Sequence, residues 1–259
     1  MAEELIVSRD GGIATVAFNR PEKKNALNLA IWRRLAEVMA ELAADDRLRC
    51  VVLRGAGTDA FVAGADISEF ETERKGRARG KNYGEAVGRA LHAVGDCRHP
   101  TVAMIMGPCI GGGLEIATRC DIRVCGRSSK FGIPSNRLGL VISHAELESL
   151  VAVVGKGYAL EILLTGELID AARAEAIGLV QRVVADTEVE AEALKVARVV
   201  AERAPLTNRW HKKFLKRLTD PTPLTAAERD EAFDCYDSED FKAGYQAFMA
   251  KTKPAFKGR

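Results

Sequence analysis

The chain has 259 residues, of which 47% are hydrophobic, and its 38 basic and 36 acidic side chains leave a formal net charge of +2. This balance excludes a strong overall attraction to nucleic acid, and no apolar stretch reaches the roughly 20 residues that cross a bilayer. The N-terminal sequence lacks the basic start and apolar run of a secretory signal, and the six cysteines include no Cys-x-x-Cys pair. We therefore expect a reduced, cytoplasmic protein with one sizeable core, no membrane contact and no metal site.

The first part of the chain predicts a hairpin, a helix and a buried strand. Two apolar segments, 5–7 and 13–18, flank a glycine turn, which is the pattern of a β-hairpin. Asn28 stands where it can cap a helix over 29–44, and the apolar residues of that helix share one face. Segment 50–53 is apolar throughout, as expected for a strand of a parallel sheet.

The rest of the chain alternates helices and strands and then becomes helical. The predicted elements are helices over 82–94, 146–154, 157–163 and 171–177, and strands over 101–106, 122–125 and 180–184. From 188 to 251 the pattern is helical, with breaks at Pro205, Pro221 and Pro223. Strands interleaved with helices, followed by a helical tail, predict an α/β core with an α-helical appendage.

The most informative segment is 110–115, which reads Ile-Gly-Gly-Gly-Leu-Glu and follows an apolar strand. Glycine lets the backbone approach a ligand closely, and the N–H groups at a helix start have no partner in the helix. These donors and the helix dipole stabilise a negative charge. Because Glu115 adds a carboxylate in the first turn, the segment predicts an anion-stabilising site beside a base.

This segment and others in the same order resemble the crotonase (enoyl-CoA hydratase/isomerase) superfamily over essentially the whole chain. The matching motifs lie at 18–27, 61–67, 110–115, 120–122, 131–134, 164–184 and 248–258. The resemblance implies a crotonase-like spiral of ββα units over 1–200, which holds an acyl-CoA site. It also implies a C-terminal helical trimerisation region over 201–259, and assembly as a homo-trimer or a dimer of trimers.

Family members bind acyl-CoA thioesters, so the resemblance implies coenzyme A as part of the substrate and no tightly bound cofactor. Their shared step forms an enolate, whose oxygen two backbone N–H groups hold. By motif position, these donors are Ala65 and Gly112. Glu115 matches one of the two hydratase glutamates that hold the water for addition across the double bond. The resemblance therefore implies an enoyl-CoA hydratase that acts on a 2-enoyl-CoA.

The resemblance also assigns contacts with coenzyme A to three parts of the chain. The assigned residues are Lys23, Lys24, Ala63, Asp66, Ile67, Phe248 and Lys251, the last two reaching coenzyme A on a neighbouring subunit. The basic run 74–81 lies where relatives have a mobile segment beside the acyl pocket. It contains no aromatic residues for base stacking, so we expect a solvated, flexible loop rather than a nucleic-acid surface.

At one position the sequence departs from the hydratase pattern. The second glutamate normally follows the proline of a Phe-Gly-x-Pro motif, but Ser135 follows Pro134 here, and an unaided serine hydroxyl is not a base near neutral pH. Hydration by Glu115 alone, or with His144 or Glu146 as a substitute, therefore stays open, since histidine titrates near neutrality. Double-bond isomerisation, another enolate reaction, thioester hydrolysis and non-catalytic binding of acyl-CoA or RNA are the alternatives.

Overall fold

The computed structural model describes residues 3–259, which form nine strands and ten α-helices. The strands are β1 (Leu5–Asp10), β2 (Ile13–Phe18), β3 (Cys50–Gly55), β4 (Thr101–Ile105), β5 (Pro108–Ile110), β6 (Ile122–Gly126), β7 (Lys130–Gly132), β8 (Ile169–Asp170) and β9 (Arg182–Val184). The helices are α1 (Leu29–Ala44), α2 (Phe70–Glu73), α3 (Arg77–Gly95), α4 (Gly112–Arg119), α5 (His144–Thr165), α6 (Ala171–Ala176), α7 (Val189–Ala201), α8 (Pro205–Arg217), α9 (Ala226–Asp230) and α10 (Glu239–Ala250). None of these helices is long and apolar enough to cross a bilayer.

The larger sheet has the strand order β1-β2-β3-β4-β6-β9, and all its pairs are parallel except the β1–β2 hairpin. Successive residues of β3 face opposite sides of this sheet. Val51 and Leu53 pack into the core that holds α1 and α3, whereas Cys50 and Val52 pack with α7. Burial on both faces explains why residues 50–53 of the strand are all apolar rather than alternating.

A smaller sheet, with the order β5-β7-β8, is absent from the sequence prediction. Its strands have only two or three residues each, which is too short for a periodic pattern to reveal them. An isolated parallel bridge between Val62 and Cys109 links β5 to the segment that precedes Ala65. This bridge holds two of the predicted site segments next to each other.

The α/β class and most predicted elements are confirmed. Helix α1 ends at Ala44, as expected. Asn28 caps its start, because the Asn28 side chain accepts a hydrogen bond from the Ile31 N–H. One prediction is wrong: the helix expected from 82 begins at Arg77, so much of the basic run 74–81 is helical. The two helices expected over 146–154 and 157–163 are confirmed, because α5 is divided at a kink by Gly155, whose φ of +73° is not helical.

The helices after α7 leave many large apolar side chains in contact with solvent. These side chains are Leu215, Leu218, Phe233, Tyr236, Phe241, Tyr245, Phe248 and Met249. α8 begins with Pro205, which is tolerated there because the first N–H groups of a helix have no helical partner. The predicted boundary at residue 200, between the α/β core and the C-terminal helical trimerisation region, stays a prediction.

Candidate active site

The two glycine-rich segments that the motifs single out lie side by side. The N–H of Ile110 donates a hydrogen bond of 2.9 Å to the carbonyl oxygen of Val62. Gly111 has a φ of +53°, which favours glycine, and a Cβ there would lie 3.8 Å from the Cα of Gly64. The two backbones therefore approach each other closely, although they are far apart in the sequence.

A parallel bridge orients the backbone around Ala65. The Leu27 N–H donates to the Gly64 carbonyl at 2.9 Å, and the Asp66 N–H donates to the Leu27 carbonyl at 2.8 Å. In such a bridge the residue between the two bonded groups directs its own N–H to the opposite side. Ala65 lines a cavity, and its N–H donates no hydrogen bond within residues 3–259.

Gly112 reaches the same cavity from the start of α4. Its N–H belongs to the first turn, where the backbone donors have no helical acceptor. A Cβ on Gly112 would lie 2.7 Å from Cζ2 of Trp32, and one on Gly113 would lie 2.5 Å from the carbonyl oxygen of Val62. Packing therefore requires glycine at both of these positions of the motif.

The cavity has a volume of about 180 Å³. Sites for drug-sized ligands typically span about 300–1,000 Å³, so this cavity suits a short chain rather than a large cofactor. Its apolar lining includes Trp32, Phe70, Val87, Ile133, Leu138 and Ile142, and its polar side chains are Arg74, Glu115, Ser135 and Glu146. Two carboxylates thus border a mostly apolar space, and so do the two residues predicted to supply the N–H donors.

Glu115 is only 4% exposed. Burial raises the pKa of its carboxyl well above the ordinary value, the nearby charge of Glu146 raises it further, and Arg74 partly offsets both effects. A carboxyl in such surroundings keeps its proton more readily and can act as a general acid. Glu146 is half-buried near the start of α5, where one of its oxygens accepts a hydrogen bond of 2.8 Å from the Ser143 N–H.

Arg74 brings a cation into the cavity. Its guanidinium lies 3.8 Å from the centre of the Tyr83 ring and 4.6 Å from that of Phe70. Tyr83 is in turn held by the Trp32 indole, which donates a hydrogen bond of 3.1 Å to the tyrosine oxygen. This position could not be predicted from the sequence, because the basic run 74–81 contains several equivalent cations and only packing brings one of them to the cavity.

The remaining candidates for catalysis are divided between the cavity and the surface. Ser135 lines the cavity at the first residue of a 3-10 helix. His144 is the first residue of α5, is exposed and does not line the cavity, and the preceding Ser143 is exposed as well. The structure therefore does not bring His144 to the other candidates, and we do not assign it a catalytic role.

Asp66 anchors the segment that carries Ala65. Its carboxylate accepts hydrogen bonds from Arg20 at 2.7 Å, from Lys23 at 2.9 Å and from the Ser68 hydroxyl at 2.6 Å. Burial alone raises the pKa of Asp66, but these hydrogen bonds outweigh it and hold the pKa well below its usual range. Asp66 and Lys23 are therefore engaged with each other, whereas the resemblance had assigned both to coenzyme A.

The other residues assigned to coenzyme A lie at different distances from the cavity. Ala63 and Ile67 line it, and Ile67 is 65% exposed, which marks the side that opens to solvent. Lys24, Phe248 and Lys251 are exposed and do not line the cavity. Any contact that they make with a ligand must therefore occur outside the cavity of their own chain.

The chain is similar to known proteins over its whole length. The family model for enoyl-CoA hydratase/isomerase matches residues 8–259. The short-chain-enoyl-CoA hydratase of Clostridium acetobutylicum is 34% identical over 98% of both chains. A Dictyostelium discoideum delta(3,5)-delta(2,4)-dienoyl-CoA isomerase is 30% identical over 95% of this chain and 87% of its own.

The fold comparison agrees with the sequence comparison. The crystal structure of an enoyl-CoA hydratase/carnithine racemase from Magnetospirillum magneticum superimposes with a TM-score of 0.98 at 47% identity, covering 100% of this chain and 97% of the other. The family model thus covers nearly the full chain, and relatives above 30% identity agree with it. The chain belongs to the enoyl-CoA hydratase/isomerase family.

Proposed function

We propose that this protein is an enoyl-CoA hydratase that adds water across the double bond of a 2-enoyl-CoA. One observation carries the proposal: Ala65, Gly112, Glu115 and Glu146 all border one small, mostly apolar cavity. Two backbone donors and two carboxylates are the groups that this addition requires. Coenzyme A is then part of the substrate, and the cavity receives its acyl group.

The N–H groups of Ala65 and Gly112 hold the thioester oxygen. Addition of a nucleophile at the β-carbon moves negative charge onto this oxygen and forms an enolate. Donors that are already in position cost no reorganisation when the charge develops, and one such donor contributes roughly 3 kcal/mol in well-studied enzymes. The bridge at Leu27 and the packing of Gly112 against Trp32 fix these two groups in advance.

The two glutamates divide the proton transfers. Glu146 takes a proton from the water as the water oxygen attacks the β-carbon. Glu115, whose pKa is raised by burial and by Glu146, gives its proton to the α-carbon of the enolate. The product gains the elements of one water molecule, and a proton passes from Glu146 back to Glu115 through solvent to restore the starting state. Carboxyl groups whose environments separate their pKa values are suited to such paired roles.

Glu146 replaces the glutamate that hydratases carry after the proline of the Phe-Gly-x-Pro motif. Ser135 holds that position here and contributes a hydroxyl to the cavity wall, where it can hydrogen-bond the attacking water. Glu146 comes from α5 and borders the same space. The second carboxylate then comes from a different element than in the hydratase pattern, and it performs the same proton transfer.

Double-bond isomerisation is the second candidate. The same pair of carboxylates in an apolar cavity can move a proton between two carbons of an acyl chain without adding water. The similarity to a dienoyl-CoA isomerase favours this alternative. Thioester hydrolysis has less support, because Ser143 and His144, the adjacent residues that could act as nucleophile and base, are both exposed and neither lines the cavity.

We also propose that the protein assembles as a homo-trimer or a dimer of trimers through its C-terminal helices. Phe248 is 81% exposed and Met249 is 65% exposed, and an association of chains through these helices would remove such apolar side chains from water. Assembly would bring Phe248 and Lys251 to coenzyme A bound by a neighbouring subunit. Light scattering after size-exclusion chromatography tests this, and a monomer at micromolar concentration contradicts it.

A panel of acyl-CoA substrates with product identification by mass spectrometry tests the proposed reaction. Hydration adds one water to a 2-enoyl-CoA, isomerisation leaves the mass unchanged, and hydrolysis releases free coenzyme A. We expect hydration of a short 2-enoyl-CoA. Conversion of 3-enoyl-CoA at unchanged mass, without any hydration, would establish the second candidate instead.

A further inference from the structure

We propose that the acyl group taken by this site carries a carboxylate beyond the double bond, and that Arg74 binds it. This inference rests on the proposed function, since it names the substrate class of the same cavity. It follows from the placement of one cation in a cavity that is otherwise apolar apart from Ser135 and the two catalytic carboxylates.

The guanidinium of Arg74 lies over two aromatic rings. It stacks on Tyr83 and contacts the ring of Phe70, and the Trp32 hydrogen bond keeps the tyrosine in place. Aromatic rings contact the faces of a guanidinium and leave its N–H groups, which lie in the guanidinium plane, to other partners. An arginine oriented in this way presents a preformed fork of donors.

These donors lack a carboxylate partner within the described part of the chain. The Nε of Arg74 is buried and has no hydrogen-bond acceptor. The neighbouring Lys75 pairs with Glu71 on the surface at 3.2 Å, whereas Arg74 forms an ion pair with none of residues 3–259. A buried donor without a partner is costly, so its retention beside a ligand cavity points to a partner that arrives with the ligand.

The two glutamates of the cavity do not fill this role. Glu115 is held towards its neutral form by burial, and one oxygen of Glu146 is occupied by the Ser143 N–H. A planar carboxylate matches the guanidinium fork with two parallel hydrogen bonds. A phosphate would match it too, but the small volume of the cavity favours an acyl group with a terminal carboxylate.

Trp32 connects the two ends of the proposed acyl site. Its ring packs against Gly112, which carries one of the proposed N–H donors, and its own N–H donates to Tyr83, whose ring contacts Arg74. An indole therefore separates the proposed oxyanion site from the guanidinium. The charged group then belongs to the acyl chain, several carbons from the thioester carbonyl, rather than to coenzyme A.

Binding of unreactive saturated analogues tests this inference independently of turnover. Isothermal titration compares glutaryl-CoA and adipyl-CoA with the uncharged valeryl-CoA and hexanoyl-CoA. We expect at least one dicarboxylic analogue to bind the wild type about tenfold or more tightly than its uncharged match. In Arg74→Met this preference should disappear while the uncharged analogues bind within threefold of wild type. Lys75→Met, which removes the adjacent surface cation, should leave the preference unchanged.

Kinetics with glutaconyl-CoA and 2-pentenoyl-CoA then separate this inference from the proposed function. If the dicarboxylic analogue binds preferentially but neither enoyl-CoA gains water, the proposed function is wrong and the Arg74 assignment stands. If 2-pentenoyl-CoA is hydrated and no charged analogue is preferred, the Arg74 assignment is wrong and hydration stands. If Arg74→Met slows both substrates equally and shifts the pH profile, Arg74 serves only as a counter-ion for Glu115, which also overturns the assignment.

Discussion

Glu146 lies near enough to Glu115 for its charge to raise the pKa of the Glu115 carboxyl beyond the effect of burial. The two residues come from different helices, α4 and α5, and both border the same cavity. The structure therefore supplies a second carboxylate, although Ser135 occupies the position where the resemblance predicts one.

Glu115→Gln should lower kcat for hydration by about 10²- to 10⁴-fold, the usual contribution of one general acid or base. The amide keeps the size of the side chain, so titration with a saturated acyl-CoA should give a dissociation constant close to that of the wild type. Glu161→Gln, which alters an exposed glutamate on α5, is the control and should keep full activity. Wild-type rates in Glu115→Gln would exclude Glu115 from the chemistry.

The pH dependence should report the coupling between the two glutamates. Because Glu115 acts in its protonated form and its pKa is raised, kcat should fall as the pH rises through that pKa. Glu146→Gln removes a negative charge, so the pKa of Glu115 should drop and the alkaline limb of the residual activity should move to lower pH. An unchanged limb would show that the two carboxyl groups do not interact.

Ser135→Glu should restore a glutamate after Pro134 and raise the hydration of crotonyl-CoA. The sharper experiment is the double variant Ser135→Glu with Glu146→Gln. If Glu146 has replaced the missing glutamate, kcat of the double variant should be at least tenfold higher than kcat of Glu146→Gln. A gain of this size lies within the usual contribution of one general acid or base. Failure to recover any activity in a folded double variant, judged by circular dichroism, argues against equivalent roles.

Gly112→Ala should destabilise the protein by about 1–3 kcal/mol, because it forces a methyl group against Trp32. The new Cβ would lie 2.7 Å from Cζ2 of the indole, and the shift should also disturb the N–H donor and lower kcat. Gly84→Ala is the matched control, since a Cβ on Gly84 meets nothing within 4 Å. In α3 that change should stabilise by about 0.5–1 kcal/mol, as urea unfolding can measure.

Asp66 should make stability depend on pH. Hydrogen bonds from Lys23, Ser68 and Arg20 outweigh the effect of burial and lower its pKa in the folded state. The resulting stabilisation is present above the unfolded pKa of about 4 and is lost as the pH falls through the folded pKa. Asp66→Asn should thus cost about 2–3 kcal/mol near neutral pH.

Urea unfolding at neutral and acidic pH measures this difference. The free energies of unfolding of wild type and Asp66→Asn should converge at the acidic end, where the carboxylate of the wild type becomes protonated. Asp10→Asn, at an exposed position of the hairpin, should show no such pH-dependent difference. A constant gap between wild type and Asp66→Asn at every pH would contradict the assigned role of the Asp66 charge.

Local sequence patterns were sufficient to predict the structure wherever a short segment determines its own conformation. The cap at Asn28, the apolar strand β3 and the glycine turn before α4 were all predicted from neighbouring residues, because turn, cap and burial preferences act over a few positions. The order of the motifs was also sufficient to identify the family. The same segments name Ala65, Gly112 and Glu115 as candidates for the site.

Tertiary packing decided what those segments face. The short strands β5, β7 and β8 form only because partners distant in the sequence pair with them, so no local pattern predicts them. Arg74 looks like an ordinary surface charge in the sequence, and Glu146 is there only one of two candidates to replace the second glutamate. The approach of α5 and the aromatic contacts of Phe70 and Tyr83 bring both side chains to the cavity. The sequence by itself determined the family, the glycine turn before α4 and the candidates for the backbone donors and one carboxylate. The second carboxylate and the cation depended on side chains meeting across elements, which is set by long-range packing rather than by spacing along the chain.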